Sequence, residues 1–266
     1  MNDGMSFDKY IDNPSGAGSS AITNRSMYKE MYKKKFDAVL LREQGKIVYE
    51  VFKDDDKEGS YYIYMKIPSE VIENFYYDVV VRLYTKINAK KANNLLRSYA
   101  VQFYSNDPAF VYTFAHSFSK NKLFIDDLAP KMSKQALNNK ATVKNPKDEV
   151  WYVKSLYFAY LTMEKYNLFN RYILDKSSKK YSKNDLIKKI TDADTKIKAR
   201  QEAQKKLDTK KKTESNKSKN NTNKDNKKPV IEKPTKSVKY TKNSKTTKKS
   251  SITKTVKNTN NRKNHK

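Results

Sequence analysis

The chain has 266 residues, 36% of them hydrophobic and 32% charged, with a formal net charge of +28. It contains no cysteine, which excludes a disulfide scaffold, zinc–cysteine sites, iron–sulfur clusters and thiol catalysis. No apolar run reaches the roughly 18 residues that span a bilayer, and the N-terminal MNDGMSFDKYID is polar and acidic, so neither a membrane span nor a secretory signal is expected.

Charge and hydrophobicity divide along the chain. Residues 1–175 carry 26 Lys and Arg against 21 Asp and Glu, whereas residues 176–266 carry 31 against 8. Of 32 aromatic residues, only Tyr181 and Tyr240 follow Asp175. The first part is therefore composed like a globular domain and is long enough to bury a core. From Thr209 onward the apolar residues are only Val230, Ile231, Val238, Tyr240, Ile252 and Val256. So few cannot offset an ordering entropy of about 1–2 kcal/mol per residue. The composition predicts a flexible N-terminal arm over 1–21, a folded domain over 22–175, a charged helical extension over 176–208 and a disordered lysine-rich tail over 209–266.

In chain order, Asn13-Pro14-Ser15-Gly16-Ala17-Gly18-Ser19-Ser20 reads as a loop or mobile arm. A helix is predicted over 23–44, with Thr23 or Asn24 as cap and Gly45 just past its end. Lys46–Lys53 and Ser60–Ile67 read as a β-hairpin around Asp54-Asp55-Asp56-Lys57-Glu58-Gly59. Tyr76–Tyr84 (YYDVVVRLY) is a third strand and Tyr99–Tyr104 a fourth. Residues 86–97 look irregular or helical. Asn106-Asp107-Pro108 starts a helix carrying Phe110, Val111, Phe114, Ala115 and Phe118. A short helix lies near 130–138, and Asn145-Pro146 opens a long aromatic helix to about Asp175 that includes Trp151. Ser182 caps a charged helix to about Asp208. The sum is an α+β fold: a small, mainly antiparallel sheet with flanking helices, followed by a charged helix and a disordered basic tail.

The motifs favour binding over catalysis. The Pro14–Ser20 loop lacks the lysine of a phosphate cradle and follows no strand. Asp54, Asp56, Glu58 and Gly59 mimic the start of an EF-hand loop, but Met65 stands where its closing glutamate belongs. His116 has no second imidazole or nucleophile nearby and reads as structural or half-exposed. Asp126 and Asp127, adjacent in sequence, would diverge on a helix and read as an N-cap with a first-turn acid. No catalytic set, metal site or cofactor is expected. The dense aromatics over 103–118 and 151–172 are read as core and interface in preference to base-stacking platforms.

Two features point to partners. Leu186, Ile190, Ala193 and Ile197 follow a 4-3-4 spacing, a short coiled-coil seam for self-association or for a partner helix. The tail over 209–266 holds 20 Lys and Arg against Glu214, Asp225 and Glu232. Its clusters Lys210-Lys211-Lys212, Lys227-Lys228 and Lys248-Lys249 are candidate nucleic-acid contacts, acting through counterion release without sequence preference.

Three stretches carry a family resemblance. They are NPSGAGSSAITNRSMYKEMYKKKFDAVLLRE over Asn13–Glu43, Ile67-Pro68-Ser69-Glu70 with Tyr77-Asp78-Val79-Val80, and Phe103-Tyr104-Ser105-Asn106-Asp107-Pro108-Ala109-Phe110. Together they resemble structural proteins of tailed bacteriophages from AT-rich hosts. The resemblance implies a virion or assembly role and carries over no catalytic residues. The leading expectation is a non-enzymatic virion protein. Its domain would dock on other virion proteins and its tail on packaged DNA or an acidic partner, with no membrane contact. The alternatives are a host-cytoplasmic nucleic-acid-binding protein acting during phage takeover and a metal-dependent nuclease.

Overall fold

The computed structural model describes residues 5–12, 20–54, 60–85 and 96–221. Helices α1 (Phe7–Asp12) and α2 (Ser20–Arg42) precede strands β1 (Tyr49–Asp54), β2 (Ser60–Pro68) and β3 (Tyr76–Tyr84). A 3₁₀ turn at Leu96–Ser98 leads into β4 (Ala100–Ser105). A π-helical turn at Phe110–Phe114 runs into α3 (Ala115–Lys120), then a 3₁₀ turn at Asp126–Lys131 and α4 (Lys134–Asn138). The order closes with α5 (Lys154–Lys165), α6 (Arg171–Ser177), β5 (Ser178–Lys180), α7 (Lys183–Lys189) and α8 (Ala193–Asn221). Contacts join residues 1–219 into one unit, separate from residues 220–266.

The fold is α+β. Its sheet has the order β4-β3-β2-β1-β5. The first four strands pair antiparallel, and β5 adds in parallel beside β1. Register sets Val51, Ile63, Val81 and Phe103 in one row across the sheet. Side chains alternate between faces, so Tyr62, Tyr64, Val80 and Tyr104 point the other way. Both sets are buried, because both faces are covered. On the Val81 face lie α1 and α5: Phe7 meets Phe103 edge-on, and Ser105 Oγ reaches Ser155 Oγ at 3.2 Å. On the Tyr64 face lie the 126–131 turn and the segment 181–197. There Tyr104 donates to the Lys131 carbonyl, and Tyr62 stacks on Tyr181 with ring centroids 4.1 Å apart.

One carboxylate ties the second layer to the sheet. Asp78, 3% exposed, sits on β3. Its Oδ1 accepts from the Tyr64 hydroxyl at 2.8 Å. Its Oδ2 accepts from Asn106 Nδ2 at 2.8 Å and from the Thr191 amide at 3.0 Å. Asn106 also donates to the Thr191 carbonyl and accepts from the Asp78 amide. This fixes the chain at the point where α7 ends and α8 begins.

Several sequence expectations are corrected here. The arm expected over 1–21 is, over 5–12, part of the core. Phe7, Tyr10 and Ile11 share one helical face and are all buried, and Val101 N donates to the Met5 carbonyl. The long helix over 146–175 does not form. Residues 150–153 are non-helical, α5 starts only at Lys154, and Asn167 in the left-handed region (φ 53°) ends its last turn. Leu168 N to Met163 O and Asn167 N to Glu164 O make this a Schellman stop with Asn in the usual glycine place. Trp151 therefore precedes the helix, and Tyr172 lies beyond its end. The same motif ends α2, with Gln44 at the left-handed position before Gly45. The helix expected from Asn106-Asp107-Pro108 does begin at Pro108, with Asp107 Oδ1 accepting from the Ala109 amide, and passes through a π turn at Phe110–Phe114.

The helix over 182–208 is also broken. Ile190 is extended (φ −91°, ψ 127°) at the end of α7, so the 4-3-4 spacing runs across two helices and not along one. Leu186, Ile190, Ala193 and Ile197 are all buried in the chain's own core. The spacing reports packing on the Tyr64 face, not a seam left open for a partner. The extension assigned to 176–208 accordingly belongs to the folded unit. Past it, α8 continues to Asn221, so residues 209–221 of the expected tail are helical.

Two outcomes check this account. Leu186→Ala should cost about 2–5 kcal/mol, the range for a truncated core leucine, with no change in sedimentation mass. A mass change with stability intact would restore the seam. Asp78→Ala should cost about 3–5 kcal/mol in chemical denaturation, since several buried groups lose their acceptor at about 1–3 kcal/mol each. A loss below about 1 kcal/mol would show that the carboxylate ties nothing together.

Candidate polyanion-binding surface

The basic surface begins at the sheet edge. β5 presents Lys179 and Lys180, and α7 presents Lys183, Lys188 and Lys189. Ser182 caps α7 by accepting from the Asp185 amide. Glu50, on neighbouring β1, receives Lys179 at 2.8 Å and Lys189 at 2.8 Å. Those two hydrogen bonds, Lys179's first, hold the Glu50 carboxyl below its ordinary value of 4.5. A groove of about 450 Å³ opens here, lined by Glu50, Phe52, Lys179, Lys180, Lys188 and Lys189 with Asp185 on its rim. Lysines outnumber acids around it by four to two.

Asp127 braces the other side of α7. Its Oδ2 accepts from the hydroxyls of Tyr62 and Tyr181, each at 3.3 Å, and Lys183 approaches Oδ1 at 3.3 Å. Burial would raise this carboxyl, but Lys183 and the two hydroxyls outweigh it and leave it below its ordinary value. Asp126 and Asp127 thus stand in the first turn of a 3₁₀ segment whose N-cap is Ile125. Neither is the N-cap.

α8 has an anchored half and a solvated half. Ala193 and Ile197 are buried, Lys196 lies over the Phe75 ring at 5.3 Å, and Arg200 donates to the Tyr77 hydroxyl at 2.8 Å. Burial lowers the Lys196 pKa. From Asp208 to Thr213 every residue is exposed, including Lys210, Lys211 and Lys212. From Asp208 to Asn221 the helix advances about 20 Å at 1.5 Å per residue. Lys198, Lys205 and Lys212 recur at seven-residue steps on one side of it, about 10.5 Å apart. Lys227, Lys228, Lys248 and Lys249 lie outside the described residues, as do the Pro14–Ser19 loop and the 55–59 hairpin turn.

His116 is half-buried, with Nδ1 2.9 Å from Asp148 Oδ1, and Lys120 reaches the same carboxylate at 3.3 Å. Among the described residues no group of three or more His, Asp or Glu is placed to hold a metal ion. None of their helices is long and apolar enough to cross a membrane. The sequence reading missed Glu50 and Asp78 as organisers. Asp78 had a visible signal, a lone carboxylate inside the apolar run YYDVVVRLY.

No family model, curated protein or solved structure matches the chain.

The paired carboxylates set a pH dependence. Glu70 is held below its ordinary value by Lys154 and Lys35, which outweigh its burial, and Asp175 likewise by Lys53 and Tyr61. With Glu50 and Asp127 they bind protons less tightly folded than unfolded. Their stabilisation is complete above the ordinary carboxyl value of 4.5 and is lost as pH falls through the lowered folded values. Thermal melts should show a flat midpoint from about pH 8 to pH 5 and a steep fall below it. A midpoint that holds or rises under acid would contradict these pairings.

Proposed function

We propose that the chain is a non-enzymatic structural or assembly protein of a phage particle. Its folded unit docks on other protein subunits, and its basic C-terminal segment contacts packaged DNA. The observation that carries the nucleic-acid half of this reading is the division of charge. Residues 1–175 are close to balanced, with 26 basic against 21 acidic, while residues 176–266 hold 31 basic against 8 acidic residues. That excess starts at the β5–α7 lysines and continues along the exposed turns of α8. A basic helix anchored at one end brings lysines to a phosphate backbone without reading bases. The particle half rests on the resemblance of residues 13–43, 67–70, 77–80 and 103–110 to uncharacterised proteins of tailed phages.

Duplex DNA should bind the full chain with a steep salt dependence. If 6–10 phosphates are engaged, affinity falls about 10³–10⁵-fold between 50 and 200 mM salt. A chain ending at Asp208 should keep its unfolding midpoint and lose most of this affinity. A flat salt response, or undiminished binding by the shortened chain, would remove the basic segment from the reading. Failure to co-purify with intact particles would remove the particle.

A further inference from the structure

The π-helical turn at Phe110–Phe114 alternates its side chains between core and surface. Phe110, Val111 and Thr113 are buried, while Tyr112 is 58% exposed and Phe114 only partly covered. Turns of this kind recur at functional sites. Here each outward ring opens onto a cleft. One, of about 210 Å³, is lined by Tyr112, Ser133, Gln135, Asn139 and Lys140. The other, of about 240 Å³, is lined by Phe114, Lys144, Asn145, Lys147 and Trp151, with Glu149 as its acid. The segment 139–151 connects them and supplies all three lysines.

That segment is held in place. Asn145, 8% exposed, donates to the carbonyls of Thr113 and Glu149 and accepts from the Glu149 amide. Asp148 adopts a left-handed backbone (φ 55°), and its carboxylate is fixed by His116 and Lys120. Lys140, Lys144 and Lys147 are exposed, and among the described residues none has an ion-pair partner. The result is two half-open aromatic walls, each beside at least one uncommitted ammonium group, on a pre-ordered loop.

We propose that these two clefts bind single-stranded nucleic acid, with bases against Tyr112 and against Trp151 and Phe114, and phosphates on Lys140, Lys144 and Lys147. Each cleft is smaller than the roughly 300 Å³ lower bound of drug-sized pockets, so each fits one ring system. Two such clefts along one basic loop offer places for two bases of the same strand. A base inside a duplex presents no free face to either ring. This site uses none of the residues assigned to the basic C-terminal segment.

Trp151 is the only tryptophan, so its emission reports this cleft alone. In the full-length chain, at about 200 mM salt to weaken lysine-only contacts, a short oligothymidylate should quench Trp151 saturably. A duplex of equal length should not. Tyr112→Ala should weaken single-strand binding by roughly 5–150-fold, the usual range for losing one stacking partner, with an unchanged melting midpoint. The double change Lys144→Glu and Lys147→Glu, on exposed side chains that carry no core contact, should weaken the quench at least about tenfold. No quench, an equal quench by duplex, or a quench indifferent to both sets of changes would overturn the inference. The two proposals fail separately. Salt-steep duplex binding with silent Trp151 emission sinks the clefts and leaves the basic segment standing. Trp151 quenching with salt-flat duplex binding sinks the basic segment and upholds the clefts.

Discussion

The Asp78 carboxylate is the constraint on which the two-layered cover of the sheet depends. It lies near the start of β3, buried beside the hydrophobic sheet, where a carboxylate is costly unless fully hydrogen-bonded. Tyr64, Asn106 and the Thr191 amide supply those bonds from β2, from the end of β4 and from the α7–α8 junction. The last of these sets where α7 stops. Ile190 is drawn out of helical geometry, its side chain drops into the core, and α8 restarts at Ala193.

The same junction divides the charge. Before it, lysines of β5 and α7 are tethered to Glu50 and Asp127. After it, Lys196 and Arg200 lie on Phe75 and Tyr77, and only then does the helix leave the surface. The basic segment is therefore not appended to the folded unit. Its described part, α8 to Asn221, continues from first turns that are core.

How much of this was legible in the sequence follows from which signals were local. The four antiparallel strands were read nearly to the residue, because Pro68, the polar hairpin turn and runs such as YYDVVVRLY mark strands by their own chemistry. The helix over 146–175 was misread because aromatic density looks alike in a helix and in an extended core segment. The actual stops, Asp148 and Asn167, act through left-handed backbone that no periodicity reveals. The N-terminal helix was hidden by its short length and by the Pro-Gly-Ser run that follows it. The seam over 186–197 had the right spacing and the wrong cause. Apolar residues at helical spacing say that a face is covered, not by what; their burial in the core, the Tyr62–Tyr181 stack and the Asp78 contact to Thr191 show that the cover is the chain's own sheet. The two aromatic clefts needed residues 110–114 and 139–151 to meet in space.

The use of the two basic residue types bears on the proposed nucleic-acid contacts. The chain holds 50 lysines and 7 arginines. Five of those arginines have described side chains, and each is committed within the fold. Arg42 donates to the carbonyls of Ser69 and Glu70, and Arg82 to Ser60 and Gln102 while lying over Tyr62 and Tyr84. Arg97 joins Glu164 to the face of Phe169, Arg171 pairs with Asp175, and Arg200 reaches Tyr77. The planar fork that reads guanine edges is thus used for internal packing. What faces outward is lysine, a point charge that engages phosphates without reading the bases they carry. On the two proposals made above, such a surface would gain affinity from lysine charge at the basic segment and from ring stacking at the two clefts, both indifferent to base sequence.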